Sequence, residues 1–121
     1  MKYQHVVGMD IAKDSVQASC FDGTTFLDFS FPNQEKSFLK KVQKSIPKSD
    51  PSHILFVMEA TGVYHLKLAT ALYKEGYPVA VVNPFIIKKY AEMLLKRAKT
   101  DRNDARLIAQ FGFYQEVTLF T

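Results

Sequence analysis

Val6-Val7-Gly8-Met9-Asp10-Ile11 is the stretch on which the fold turns. Strand alternation puts Tyr3, His5, Val7, Met9 and Ile11 on one face and Gln4, Val6, Gly8, Asp10 and Ala12 on the other. Both faces are mostly apolar through residues 6–11, as in a strand covered on both sides. An acid in such a strand is expensive unless a partner holds its charge. Asp10 therefore either caps the turn at Lys13-Asp14 or is a working carboxylate.

Working outward, residues 15–21 and 25–31 read as two more strands, joined at Asp22-Gly23-Thr24 by a strong hairpin signal. The first three strands then form an antiparallel meander. Pro32-Asn33 breaks the pattern, and Asn33 is placed to cap a helix over 34–46 with Phe38, Leu39, Val42 and Ile46 as its stripe. Residues 53–58 are a short apolar strand with Glu59 at its carboxyl end. A helix over 63–75 follows, closed by Gly76, and then a strand over 77–82 that stops at Asn83-Pro84. Strand, helix, strand at these lengths is a βαβ unit with parallel pairing, whose sites lie at the carboxyl ends of strands. After Pro84 a helix with the stripe Ile86, Ile87, Tyr90, Met93 and Leu94 is expected. Thr100 is placed to cap a last helix through Asp104, Leu107, Ile108 and Phe111, ended at Gly112. Residues 113–121 are apolar and strand-like without an assignable partner.

Asp101 and Asp104 are three residues apart, roughly 60° around a helix axis. Two acids so close repel unless a cation sits between them; alone they also read as a solvated first helical turn favoured by the helix dipole. With Asp10 and Glu59, each beside an apolar run, they make a set of four carboxylates suited to a hard divalent ion. Magnesium takes oxygen ligands and keeps waters, and paired ions can activate a nucleophile and neutralise a phosphate.

The chain has 121 residues, 47% of them hydrophobic, and a net charge of +4. Its mean hydropathy is −0.10. That describes one globular domain, with no run near the roughly 20 apolar residues of a membrane span. A single cysteine, Cys20, excludes an internal disulfide and fits a cytoplasmic location. His5, His53 and His65 have no metal-like spacing. Seven basic residues fall between Asn83 and Arg106, and Lys96, Arg97, Lys99, Arg102 and Arg106 flank the acids as candidate phosphate contacts. The cluster Lys36, Lys40, Lys41, Lys44, Lys48 is better explained as a solvated helix face. Phe111, Phe113 and Tyr114 could stack on bases, but core contact is the stronger reading.

Gly8-Met9-Asp10-Ile11-Ala12-Lys13, Met58-Glu59-Ala60-Thr61-Gly62, Asn83-Pro84 and Lys99-Thr100-Asp101-Arg102-Asn103-Asp104-Ala105, in this order, resemble the N-terminal domain of the DEDD transposases. These are the insertion-sequence recombinases of the IS110 group, which include the Piv and MooV DNA invertases. The resemblance runs from about Tyr3 to Gly112. It implies an α/β, ribonuclease-H-like (RuvC-like) fold: a mixed five-stranded sheet, three antiparallel strands followed by βαβ, with helices on both faces. It implies catalytic and metal-binding roles for Asp10, Glu59, Asp101 and Asp104, magnesium as the ion with manganese as a substitute, DNA strand cleavage and exchange, a structured guide RNA and a homo-oligomeric synaptic complex. It also implies a downstream domain carrying a serine nucleophile. On that reading residues 1–112 are the RuvC-like domain, 113–121 lead toward the downstream domain, and the chain alone is an incomplete recombinase.

Two other readings compete. A nucleotide-binding lobe of the actin and sugar-kinase type also starts with an Asp-bearing strand and a hairpin. It wants a glycine-rich phosphate turn where this chain has Asp10-Ile11-Ala12-Lys13, and it leaves Asp101 and Asp104 without a role. A non-catalytic nucleic-acid-binding module would use the acids only in salt bridges with the neighbouring basic residues.

Overall fold

The computed structural model describes residues 3–60, 62–94 and 104–120. Its strands are β1 (His5–Ile11), β2 (Ser15–Phe21), β3 (Phe26–Pro32), β4 (Ile54–Glu59) and β5 (Val79–Val82). Its α-helices are α1 (Phe38–Ser45), α2 (Leu66–Lys74), α3 (Pro84–Leu94) and α4 (Asp104–Tyr114). The strands form one sheet in the order β3-β2-β1-β4-β5. β1–β2 and β2–β3 are antiparallel, whereas β1–β4 and β4–β5 are parallel. This is the expected mixed sheet, with β1 at its centre.

Both faces of the sheet are covered, which is why β1 and β4 are apolar on both sides. Val7, Met9, Ile11, Phe56 and Met58 pack with Phe38 and Val42 of α1 and Leu68 and Leu72 of α2. Val6, Leu55, Val57, Ala80 and Val82 pack with Ile87 and Tyr90 of α3 and Leu107, Ile108 and Phe111 of α4.

The local signals explain most boundaries. In the β2–β3 turn, Asp22 accepts hydrogen bonds from the Thr24 and Thr25 amides at 2.8 Å each, and Gly23 takes a φ of 98° that favours glycine. Gly76 ends α2 with a φ of 92°. Asn83 caps α3, its side-chain oxygen accepting from the Phe85 amide at 2.8 Å, with Pro84 at the first helical position.

Four local expectations are corrected. The helix expected over 34–46 begins with a single 3-10 turn at Glu35–Ser37, and Asn33 does not cap it. The Asn33 side chain instead donates to the carbonyls of Ala12 and Tyr64. In α3 only Ile87 and Tyr90 of the expected stripe are buried; Ile86, Met93 and Leu94 are exposed, and Ala91 takes the inner position. Gly112 lies inside α4, where the absence of a side chain lets the helix close on Val6 and Val57. Residues 113–120 form no strand. They double back so that the Phe120 amide donates to the Val79 carbonyl at 2.6 Å, with Phe120 edge-on to Tyr73. Thr100 lies outside the described residues.

The tightest helix–sheet contact falls at Gly8. A Cβ there would overlap the Ala105 carbonyl oxygen and the Ala109 amide nitrogen, both backbone atoms. α4 therefore starts over Gly8 and runs back along β1 to Gly112, which lies over Val6 and Val57. Gly8→Ala is expected to push α4 off the sheet and destabilise the fold by about 2–3 kcal/mol, the range of core overpacking. Gly112→Ala should cost less, because its new methyl meets Val57 and Val6 side chains rather than backbone. Urea melts of the two variants check the order.

Candidate metal centre

β1 and β4 run parallel in a register that pairs Gly8 with Val57 and Met9 with Met58. One step further along, Asp10 and Glu59 come side by side at the carboxyl ends of the two strands, about 4.8 Å apart at the backbone. Residues paired across a sheet share a face, so both acids point to the side of Gly8 and Val57, where α4 lies. Each is half-buried. Glu59 is further held by the ladder to β5, where it pairs with Val82 and the Ala60 amide donates to the Val82 carbonyl at 3.0 Å.

Asp104 arrives from the other direction. It is the first residue of α4 and is half-buried. Ala105 is fixed over Gly8, two residues before Asp10 on the same face, so the start of α4 stands at the end of the sheet that carries Asp10 and Glu59. Asp10, Glu59 and Asp104 each also engage neighbouring groups of the chain. Among the described residues no three His, Cys, Asp or Glu side chains form a group that could hold an ion. Asp101, Lys96, Arg97, Lys99 and Arg102 lie outside the described residues. The donors themselves suit magnesium: carboxylate oxygens, partly open to solvent, for an ion that keeps much of its water.

Two further residues at this end of the fold were not singled out by sequence reasoning. Asn33 donates through Nδ2 to the Ala12 carbonyl at 2.8 Å and the Tyr64 carbonyl at 3.3 Å, and its amide donates to the Asp14 carbonyl at 3.0 Å. It thereby ties the turn that follows Asp10 to the loop that follows Glu59. Asp28 of β3 accepts a forked hydrogen bond from Arg106, with Arg106 Nη2 at 2.6 Å. Asp28 sits on the α4 side of β3, but nothing in its surroundings along the chain points to a partner 78 residues away. Arg106, expected to meet phosphate, is engaged here.

The remaining candidates are structural. Cys20 is buried, and desolvation, with the charge of Asp22 adding to it, pushes its thiol up to about 11, so it stays protonated near neutrality. His65 is buried and His53 exposed, and neither joins a metal-holding group among the described residues. Phe111 packs edge-on to Tyr90, and Phe113 edge-on to Phe21. Tyr114 is 55% exposed. Among the described residues no helix is long and apolar enough to cross a membrane.

Comparison with known proteins agrees with this fold. A family model for IS110-type DEDD domains, described as a transposase, matches residues 7–120. The pilin gene-inverting proteins of Moraxella lacunata and Moraxella bovis are each 34% identical over 109 residues, covering 88% of this chain and 33% of theirs. The chain thus spans about a third of the length of these relatives. Among solved structures, T. thermophilus RuvC in complex with a Holliday junction substrate superposes with a TM-score of 0.63 at 11% identity, over 98% of this chain and 100% of that one. A second Thermus thermophilus RuvC structure gives 0.58 at 11% identity, over 96% and 99%. At that identity the likeness establishes the RuvC-like fold.

The Asp28–Arg106 pair should leave a mark on acid stability. Hydrogen bonding from Arg106 holds the Asp28 carboxyl below its ordinary value; desolvation opposes it, and the Ser19 hydroxyl and the Arg106 charge add to the lowering. A carboxyl that titrates lower folded than unfolded adds stability above its unfolded pKa of about 4 and loses it as pH falls through the folded value. The two side chains are 47% and 40% exposed, so solvent screening keeps the pair's contribution small. Asp28→Asn is expected to lower the melting temperature at pH 7, with the difference from wild type closing as the pH falls below the ordinary carboxylate range. Thermal melts across that range measure it.

Proposed function

Because the chain belongs to the IS110 family of DEDD transposases, we propose that it is the metal-binding catalytic domain of a DNA recombinase, acting in strand cleavage and exchange. The observation that carries the reading is the meeting of Asp10 and Glu59 at adjacent parallel strand ends, beneath the helix that Asp104 begins. Asp10, Glu59 and Asp104, with Asp101 from the preceding segment, would hold magnesium, or manganese in its place. The ion, when bound, supplies charge neutralisation at a phosphodiester and lowers the pKa of an attacking water or hydroxyl. The chain's own part is to fix the carboxylates on rigid elements, so that little has to rearrange when substrate arrives. α4 and α3 wall off the apolar side of that face.

DNA is the proposed substrate. Gene inversion in the relatives' name and a Holliday junction bound to a protein of the same fold both support it. Basic residues between positions 83 and 106, with Lys88 and Lys89 exposed on α3, supply phosphate contacts. A structured guide RNA, a homo-oligomeric synaptic assembly and a cytoplasmic location complete the reading. The catalytic domain would extend past residue 112, through the end of α4 to Phe120, whose amide donates back to Val79 of β5, and a serine-bearing domain would complete the recombinase. The nucleotide-lobe alternative is not favoured, because Ala12-Lys13-Asp14 at the β1–β2 turn contains no glycine to cradle a phosphate.

Convergent carboxylates repel in the folded state and separate on unfolding, so a divalent ion bound only to the folded chain must raise its melting temperature. The gain is about 2.7 kcal/mol at 100 times the dissociation constant. Magnesium and manganese should both act, manganese the more strongly. Asp10→Asn should abolish most of the shift. If the acids served only in salt bridges, the same change would destabilise the metal-free protein and metal would do little. Melts with and without millimolar ion at fixed ionic strength separate these outcomes.

Residues 1–121 are expected to bind DNA with affinity that falls as salt rises, and not to complete strand exchange alone. Recombination of a marked plasmid by the purified chain, or salt-insensitive binding, would overturn the respective part.

A further inference from the structure

Gly8, Ser19 and Asp28 stand in one row across β1, β2 and β3, paired Gly8 to Ser19 and Ser19 to Asp28. The first turn of α4 meets this row at both ends. Its backbone sits on Gly8 through the Ala105 carbonyl, and its Arg106 side chain reaches Asp28. Arg106 Nε donates to Asp28 Oδ1 and Oδ2 at 3.0 and 3.1 Å, and Nη2 donates to Oδ2 at 2.6 Å. Between the ends, the hydroxyl of Ser19, which is fully buried, donates to Asp28 Oδ1 at 2.8 Å. The guanidinium carbon stands 5.2 Å from the centroid of the Phe26 ring, which steadies it from below. A forked guanidinium–carboxylate contact fixes direction as well as distance, because the planar donors match the two oxygens only in one orientation.

We infer that Arg106 is a positioning residue: with Asp28 and Ser19 it clamps the first turn of α4 onto the sheet and so sets where Asp104 stands relative to Asp10 and Glu59. The inference rests on the metal-centre reading above. The close approach at Gly8 and the apolar packing of Leu107, Ile108 and Phe111 hold α4 on the sheet, but neither is directional at its first turn. The clamp supplies a directional restraint from β3, two strands away from β1. Arg106 is two residues beyond Asp104, so a small roll of this turn carries Asp104 with it. The contrasting role, a direct phosphate contact, needs the guanidinium turned toward DNA, whereas Nε and Nη2 are committed to Asp28.

Asp28 makes the two roles separable, since a carboxylate gives no favourable contact with phosphate. Asp28→Asn, Arg106→Gln and the double variant are compared with wild type by amide hydrogen exchange of residues 105–108, by manganese titration, and by binding of a short DNA duplex. The clamp predicts that either single change speeds exchange in that turn and weakens manganese binding, each by about two- to fivefold, the range for a partly exposed ion pair. The double variant should be no worse than the singles, because they break one interaction. If Asp28→Asn leaves exchange and manganese affinity unchanged while Arg106→Gln weakens DNA binding and its salt dependence, the clamp is refuted and Arg106 is a phosphate contact. If wild type itself binds no manganese, the metal-centre reading fails. The exchange data then decide the clamp alone: faster exchange in both singles upholds it and unchanged exchange refutes it.

Discussion

The backbone of α4 rests on Gly8 with no side chain between them, and much of the site's geometry follows from that contact. Any other residue at this position would hold the helix further from the sheet. With the helix close, Leu107, Ile108 and Phe111 reach the core formed by Val6, Leu55 and Val57. The same contact fixes which end of α4 is near which end of β1. Because α4 runs back along β1 from Gly8 toward Val6, its first residue comes to the carboxyl end of the central strand. Asp104 and Asp10 are 94 positions apart in sequence, yet one close approach brings their two chain segments to the same end of the sheet.

Much of this was legible from residue patterns. The double-faced apolar run around Asp10, the Asp22-Gly23 turn and the strand–helix–strand segment ending at Asn83-Pro84 each carry a local physical signal, which gives the antiparallel meander and the parallel β4–β5 pair; the β1–β4 pairing that joins them has no such local signal. What failed was whatever depends on a distant partner. Asn33 looks like a helix cap because asparagine after a proline usually serves locally; its amide instead bridges the Ala12 and Tyr64 carbonyls. Gly112 looks like a helix stop because glycine is a common terminator; its role is to let Val6 and Val57 approach. Ile86, Met93 and Leu94 satisfy helical periodicity as well as Ile87 and Tyr90 do, but only one flank of α3 faces the sheet, and Ala91 fills it.

For the candidate site, Asp10 and Glu59 stand out in the sequence because an acid next to a buried apolar strand is a costly placement. Asp104 stands out through its spacing from Asp101. Arg106 shows the limit of counting charges. A basic residue beside a cluster of acids is expected to face nucleic acid, but Asp28 lies on the neighbouring face and competes for it at short range. Two oppositely charged groups at hydrogen-bond distance outweigh a more distant polyanion unless the latter arrives with its own geometry.

Building a site from separate chain segments couples it to folding. Asp10 and Glu59 come to adjacent strand ends only once β4 has paired in parallel with β1, and in the proposed site Asp104 would join them only once α4 has docked on Gly8. The unfolded chain holds no such arrangement, so the free energy of binding an ion there would add to the free energy of folding. The elements differ in how firmly they are held without it. β1 is bonded on both sides, to β2 and β4, and β4 to β1 and β5, so Asp10 and Glu59 ride on the most constrained part of the sheet. α4 has no ladder. It depends on apolar packing, on the absent Cβ of Gly8 and on the Arg106–Asp28 fork. In the proposed site the strands would supply a rigid half and the helix an adjustable half, an arrangement suited to carboxylates that would repel one another until a cation binds.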